Sequence, residues 1–146
     1  MTERSEAAQE LFDEIRRVDN RLRWLGDTLH PELGLTAAKR SILLALHRDG
    51  PQTVPDLARE RLVSRQVVQT QVNDLLDDGL VAGAPNPRHR RSPLLTLTNE
   101  GASRIRRMLA KEEALVERSP NTPKTAEMID LREKLRILRK ALETIG

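Results

Sequence analysis

Residues 53–98 contain the densest structural signals in the chain: TVPDLARERLVSRQVVQTQVNDLLDDGLVAGAPNPRHRRSPLLTLT. The segment starts with a capping-box pattern, in which Thr53 and Asp56 can satisfy each other's backbone N–H groups, and a proline suits the first helical turn. After this short helix and an apolar Leu-Val turn, Ser64 is placed to cap a second helix. That helix runs to about residue 78 and ends at Gly79. The pattern predicts a helix–turn–helix.

The second helix has two faces of unlike chemistry. Its apolar positions predict the buried side: Val68, Val72 and either Leu75 or Leu76. The opposite side lacks Glu and Lys and is rich in side chains that hydrogen-bond base edges in the major groove. We therefore predict a DNA recognition helix, and the alternative is a surface helix of unusual composition. With the capping serine, the candidate DNA-binding residues are Ser64, Arg65, Gln66, Gln69, Thr70 and Asn73.

A hairpin is predicted directly after this helix. Two short strand-like runs, near residues 80–81 and 93–98, flank a loop that is rich in turn residues. The loop contains Arg88, Arg90 and Arg91. A basic loop beside a recognition helix can reach the adjacent minor groove, where narrow A/T-rich segments attract arginine. These three arginines are the candidate DNA-binding residues of the hairpin.

The positive charge is concentrated in the middle of the chain. Residues 35–110 hold 12 basic and 7 acidic side chains, net +5, although the whole chain is only +3. Such a basic region indicates a polyanionic partner, with nucleic acid first, and a solvated arginine-rich surface is the alternative. The arginines that make up much of this excess are Arg88, Arg90, Arg91, Arg104, Arg106 and Arg107.

The two ends of the chain are predicted to be long helices with heptad stripes. Each stripe steps by three and four residues, which is the a/d pattern of helices that pack together. The stripes could bury each other within one chain, but a shared interface with a second copy is the preferred interpretation. Trp24 lies beside the first stripe and is expected to pack against neighbouring helices. The candidate dimerisation residues are Leu11, Ile15, Val18, Leu22, Leu131, Leu135, Leu138 and Leu142.

Composition excludes several classes of function. The 146 residues contain no Cys, which excludes disulfides, thiolate metal sites and thiol redox sensors. Phe12 and Trp24 are the only aromatic residues, too few for a single-strand base-stacking platform. The three histidines are far apart, and no nucleophile–base set or phosphate loop is present, so we predict no enzyme, no cofactor and no metal. The start lacks a signal-peptide pattern and no run could span a bilayer, so a cytoplasmic location is expected.

Residues 35–105 resemble the MarR family of winged helix–turn–helix transcription regulators. The resemblance rests on an ordered set of short motifs rather than on any single one. It covers about half of the chain, and the flanking helices agree with the family's dimerisation region. The matching residues are Leu35-Thr36, Ile42-Leu43, Leu57-Ala58, Val63-Ser64, Val72, Leu75, Gly79-Leu80-Val81, Asn86-Pro87, Arg90-Arg91, Leu97-Thr98 and Gly101.

The resemblance implies a mostly α fold with a small β-hairpin wing and with dimerisation helices at both ends. It implies a homodimer that binds a pseudo-palindromic operator, usually as a repressor. It further implies release by a small anionic aromatic effector, bound between the dimerisation and DNA-binding regions. Arg90 matches the wing-tip arginine. The family's commonest wing has Asp at the positions of Asn86 and His89, and the second of these usually orients the wing arginine.

We therefore expect three regions: a dimerisation helix over residues 1–34, a DNA-binding domain over 35–98, and further dimerisation helices over 99–146. The predicted function is a homodimeric, sequence-specific DNA-binding regulator. Two alternatives remain at this point. One is a non-specific architectural DNA-binding protein of the same fold, and the other is a winged-helix module that binds proteins. The polar face of the recognition helix favours the regulator over the protein-binding module.

Overall fold

The computed structural model describes residues 1–145 as a mostly helical chain with one small hairpin, which is the predicted fold class. By its internal packing, the chain divides into a unit of Met1–Lys111 and a smaller unit that begins at Glu112. In chain order, the elements are α1 (Glu3–Leu29), a 3₁₀ turn (Pro31–Leu33), α2 (Ala37–Asp49), α3 (Val54–Arg61), α4 (Arg65–Asp77), β1 (Val81–Ala84), β2 (Leu94–Leu97), α5 (Asn99–Arg118) and α6 (Thr125–Glu143). None of the helices within residues 1–145 is long and apolar enough to cross a bilayer.

The predicted caps set the helix–turn–helix. The Thr53 hydroxyl accepts the Asp56 N–H at 3.2 Å, and the Asp56 carboxylate accepts the Thr53 N–H at 3.1 Å, which completes the capping box. The Ser64 hydroxyl accepts the Val67 N–H at 3.1 Å and starts α4. Between the two helices, Leu62 adopts a left-handed backbone conformation with φ of 54°. These local contacts start α3 and α4 at the predicted positions along the chain.

The hydrophobic core of the first unit gathers α2, α3, α4, the hairpin and the start of α5. Leu75 is the inward member of its pair, since it is fully buried and Leu76 is exposed. In α5, Ile105 and Met108 are buried in the core, and Leu109 is only partly buried. The fully buried side chains are Ile42, Leu43, Leu57, Val68, Val72, Leu75, Leu80, Ile105 and Met108.

The hairpin is attached to the rest of the first unit through the outer edge of β2. β1 and β2 pair antiparallel, with Val81 opposite Leu97 and Ala84 opposite Leu94. On its other side β2 exchanges two backbone hydrogen bonds with Gln52, through the Leu95 N–H at 2.8 Å and the Leu95 carbonyl at 3.2 Å. The hairpin therefore cannot pivot freely about its two strand ends.

Arg40, a residue that sequence reasoning overlooked, joins α1 to α2. Its side chain is buried, and its guanidinium donates to the Leu35 carbonyl and to the Asp27 carboxylate, each at 2.8 Å. A Cβ on Gly26 would lie within 2.7 Å of that guanidinium, so α1 approaches closely because residue 26 is glycine. Arg40 precedes Leu43 by three residues and so shares the buried face of α2.

The heptad stripes at the two ends remain exposed. Gly26 is the buried residue of α1, and α6 has no buried residue. Leu22 is 59% exposed and Leu131 is 49% exposed. Trp24, expected to pack against neighbouring helices, is 53% exposed in the single chain, and the Arg21 guanidinium lies 5.5 Å from its ring centroid.

Replacing Gly101 with alanine should destabilise the protein, because the new Cβ would lie 2.0 Å from the Leu80 carbonyl oxygen. That oxygen is backbone and accepts the Thr98 N–H, so it cannot rotate away. We expect a loss near the upper end of the about 1–3 kcal/mol range for overpacking, measured by urea denaturation. The matched control is Gly83→Ala, whose Cβ would meet Pro93 at an ordinary 3.9 Å. Equal losses in the two variants would contradict this account.

Candidate nucleic-acid interface

The structure brings the predicted recognition residues together on one exposed face of α4. Val68, Val72 and Leu75 are buried, so the helix can turn only its other side outward. That side consists of Arg65, Gln66, Gln69, Thr70 and Asn73, all exposed.

Several of these side chains are already engaged within α4. The Gln69 Nε2 donates to the Asn73 Oδ1 at 2.9 Å, one helical turn away. The Thr70 hydroxyl donates to the Gln66 carbonyl at 3.0 Å. Because the Ser64 oxygen accepts the cap hydrogen bond, its own O–H can still donate to a phosphate at the helix start.

The wing loop is organised by Asn86. Its Nδ2 donates to the Ser92 carbonyl at 2.9 Å, and its Oδ1 accepts the Arg88 N–H at 3.1 Å. The backbone N–H of His89 adds a turn hydrogen bond to the Asn86 carbonyl at 3.2 Å. The amide at position 86 therefore closes the loop across its base, and the His89 side chain stands in solvent.

The three wing arginines are exposed and carry no ion pair within residues 1–145. Their charge is therefore available to an external anion. Two arginines of α5, Arg104 and Arg107, differ, because they contact partners inside the fold. Arg104 donates to the Leu33 carbonyl at 3.0 Å and to Glu100 at 3.1 Å, and Arg107 lies 3.5 Å from the same carboxylate. Part of the basic excess is thus neutralised inside the fold.

A cleft of about 430 Å³ separates α4 from the wing. Arg65 and Gln69 line it from α4, Arg91 lines it from the wing, and Pro55 lines it from α3. Its lining contains guanidinium, carboxamide and hydroxyl groups but no carboxylate. Arg65 and Arg91 therefore bring positive charge to two sides of the cleft, whose lining is otherwise mostly apolar.

Two side-chain contacts that sequence reasoning missed hold α4 against α3 and α2. The Arg61 guanidinium donates to the Gln71 Oε1 at 3.0 Å and joins α3 to α4. Burial lowers the pKa of Arg61 from its ordinary value. Lys39 of α2 lies 3.5 Å from the Asp74 carboxylate. The available signal was spacing, because Arg61 follows the buried Leu57 by four residues and so shares its face.

The histidines do not build a metal site. His30 is buried, and burial, followed by the nearby Lys111 charge, lowers its pKa below the ordinary value. His47 and His89 are exposed. Across residues 1–145, no group of three or more His, Asp and Glu side chains is arranged to hold an ion.

Comparison with known proteins gives the family. The sequence pattern of the MarR family matches residues 33–92, which hold the helix–turn–helix and most of the wing loop. The chain belongs to the MarR family. It is therefore a DNA-binding transcription regulator with a winged-helix fold.

Proteins similar in sequence to this chain include an uncharacterized protein and two transcription regulators. The uncharacterized protein Rv2011c of Mycobacterium tuberculosis is 37% identical over 115 residues, 79% of this chain and 75% of the relative. The transcriptional activatory protein BadR of Rhodopseudomonas palustris is 36% identical over 66% of this chain and 57% of BadR. The transcriptional repressor IacR of Pseudomonas putida is 24% identical over 91% and 86% of the two chains.

Solved structures share the fold at low sequence identity. A mutant of Escherichia coli MarR in complex with operator DNA superposes with a TM-score of 0.69 at 23% identity, over 88% of this chain and 93% of that one. Staphylococcus aureus MarR, solved with salicylate and kanamycin, gives 0.77 at 14% identity over 97% and 95% of the two chains.

Replacing Asn86 with alanine should weaken DNA binding although the net charge does not change. The wing loses two hydrogen bonds, and ordering it on DNA then costs about 1 kcal/mol, or about a fivefold higher Kd. Fluorescence anisotropy at fixed salt measures the Kd. The control is Asn99→Ala, which removes an exposed amide at the start of α5. An unchanged Kd for Asn86→Ala would show that the loop needs no such closure.

Proposed function

We propose that this MarR-family regulator acts as a homodimer that reads a pseudo-palindromic operator and represses transcription. The observation that carries the proposal is the pairing of two surfaces across one cleft. One is the polar, nearly uncharged face of α4, and the other is the wing with three arginines free of ion pairs within residues 1–145.

The two surfaces contribute differently to DNA binding: α4 recognises bases, and the wing adds affinity. Carboxamides discriminate bases because they match the donor and acceptor order of the major-groove edges. In this proposal, Arg65, Gln66, Gln69, Thr70 and Asn73 contact base edges and Ser64 contacts a phosphate. Arginines act mainly through charge on phosphates and in the narrow minor groove. Arg88, Arg90 and Arg91 therefore supply affinity.

A second copy of the chain accounts for the exposed stripes. Leu11, Val18 and Leu22 on α1, and Leu131, Leu135 and Leu142 on α6, are all exposed large apolar side chains. Contiguous apolar surfaces of this kind mark interaction sites in soluble proteins. The heptad spacing makes each stripe complementary to a like helix. Ile15 and Leu138 complete the proposed interface.

We accordingly assign residues 1–34 and 99–146 to dimerisation and residues 35–98 to DNA binding. A two-fold dimer places its recognition helices about 34 Å apart, one turn of B-DNA, so that each reads one half-site.

Leu135→Glu should dissociate the dimer, because it puts a charge into the proposed dimer interface. The expected result is a monomer at micromolar concentration by light scattering after gel filtration. Thermal stability of the unmodified protein should rise with its concentration, because folding and association are linked. The matched control is Ile137→Glu, on the same helix but off the stripe, and 68% exposed. If the Leu135→Glu variant stays dimeric, the stripe on α6 does not form the dimer interface.

Gln69→Ala should reduce affinity for the operator by about 1–3 kcal/mol per half-site and should barely alter binding to a scrambled duplex. Arg90→Ala should weaken both duplexes and should flatten the salt dependence by about one unit per lost contact. Arg88→Ala and Arg91→Ala should act in the same way but less strongly. The measurement is fluorescence anisotropy over a salt series.

The opposite pattern would reverse these roles. If Gln69→Ala lowers the affinities for the operator and the scrambled duplex equally, and Arg90→Ala affects the operator alone, the wing rather than α4 recognises the base sequence. If the unmodified protein binds both duplexes equally at every salt concentration, the protein is a non-specific architectural binder. If none of these substitutions changes the affinity for any duplex, the alternative function, a winged-helix module that binds proteins, is favoured.

The proposed effector is a small anionic aromatic molecule. Support comes from the family assignment and from the salicylate in the Staphylococcus aureus MarR structure. Millimolar salicylate should lower operator affinity in the anisotropy assay. Hydrogen peroxide should not, because the chain has no cysteine to oxidise. A sharp response to low peroxide, with Met1, Met108 and Met128 unoxidised, would contradict this prediction.

A further inference from the structure

One hydrogen bond on the recognition face joins two side chains that both point to solvent. The Gln69 Nε2 and the Asn73 Oδ1 are 2.9 Å apart, and the residues are one helical turn apart. Within residues 1–145, the exposed face of α4 shows no other side-chain to side-chain hydrogen bond between its candidate recognition residues.

This hydrogen bond limits the orientation of the Gln69 carboxamide. A carboxamide has one acceptor oxygen and one NH₂ group, and rotation by 180° about its last bond exchanges them. The Asn73 Oδ1 has no hydrogen, so it can only accept, and it holds the nitrogen end of Gln69 toward itself. In the observed arrangement the Gln69 side chain retains its oxygen and one N–H for a ligand, in the order that this hydrogen bond sets.

A fixed acceptor and donor order distinguishes adenine from guanine. The major-groove edge of adenine offers an N6 donor and an N7 acceptor, whereas guanine offers two acceptors, O6 and N7. An amide locked with its oxygen toward the N6 position would face the O6 of guanine with a second acceptor. A freely rotating amide could instead direct its NH₂ group between O6 and N7 and turn its oxygen away from the base, so guanine would be tolerated.

We propose that Asn73 is a positioning residue, which locks the Gln69 carboxamide so that the pair selects adenine over guanine at one base pair of each half-site. This inference rests on the proposed sequence-specific function. It revises the role of Asn73 from an independent base reader to a residue that acts through Gln69.

The test uses the full-length protein and a duplex selected from a random library by binding to that protein. The position read by Gln69 is the base pair where Gln69→Ala abolishes preference. There, the unmodified protein should prefer A·T to G·C by about tenfold or more. 7-Deazaadenine, which lacks the N7 acceptor, should weaken binding of the unmodified protein about as much as Gln69→Ala does.

Asn73→Ala should remove most of the adenine preference at that same base pair. The Gln69→Ala, Asn73→Ala double variant should lose no more preference than Gln69→Ala alone, because the second residue acts through the first. Asn73→Asp retains an acceptor for Gln69, so it should keep the preference. It should also weaken binding to every duplex by adding negative charge near the phosphates. Asn99→Ala is the control, because it removes an exposed carboxamide outside α4 and should leave preference at this base pair unchanged.

Three results would overturn the proposal. Asn73→Ala could remove preference at a different base pair, which would make Asn73 a reader in its own right. The double variant could lose the summed preference of the two single variants. Asn73→Asp could behave like Asn73→Ala. If the unmodified protein instead binds selected and scrambled duplexes equally, sequence-specific reading itself fails, and the locked amide fails with it.

Discussion

The burial of one side of α4 sets the arrangement of the whole candidate interface. Val68 and Leu75 are completely removed from solvent, and together with Val72 they fix the rotation of the helix about its own axis. Burying aliphatic side chains of this size contributes roughly 1.5–3 kcal/mol each. A rotation that moved them out would lose several such contributions, so the polar residues face outward as a group. The hydrogen bond from Arg61 then ties α4 to α3, and the ion pair of Lys39 ties it to α2.

The wing depends on the same core through backbone contacts. β2 is bonded on one side to β1 and on the other to Gln52, and the Leu80 carbonyl lies against the start of α5 at Gly101. Such pairing uses no charged side chain and leaves the loop beyond Ala84 to be shaped locally by Asn86. Arginine side chains in that loop remain without ion pairs within the described chain, which keeps their charge available for phosphate.

Charged side chains have a different task at the junction between α1 and α2. Lys111 donates to the Leu29 carbonyl, Arg104 to the Leu33 carbonyl and Arg40 to the Leu35 carbonyl. The Leu29 carbonyl lies in the last turn of α1, where helix geometry leaves carbonyls without partners, and the other two carbonyls lie in the connection to α2. Lys111 also pairs with Glu32, and its hydrogen bond lowers the pKa of that carboxyl. Basic residues at this junction thus bond to internal carbonyls, whereas the wing arginines carry no ion pair within residues 1–145.

Local sequence rules were sufficient to predict the helix–turn–helix, its caps, the inward side of α4 and the position of the wing. A cap involves residues three apart and an amphipathic face has a period of 3.6, so both can be recognised along the chain. Long-range packing, in contrast, determined that Leu75 rather than Leu76 is buried, that Arg104 is paired internally while the wing arginines are not, and that Arg40 is buried. The partners of such side chains can be distant in sequence, as the 71 residues between Arg104 and Leu33 illustrate. Spacing along the chain shows which face a residue occupies, but not which atoms will lie opposite.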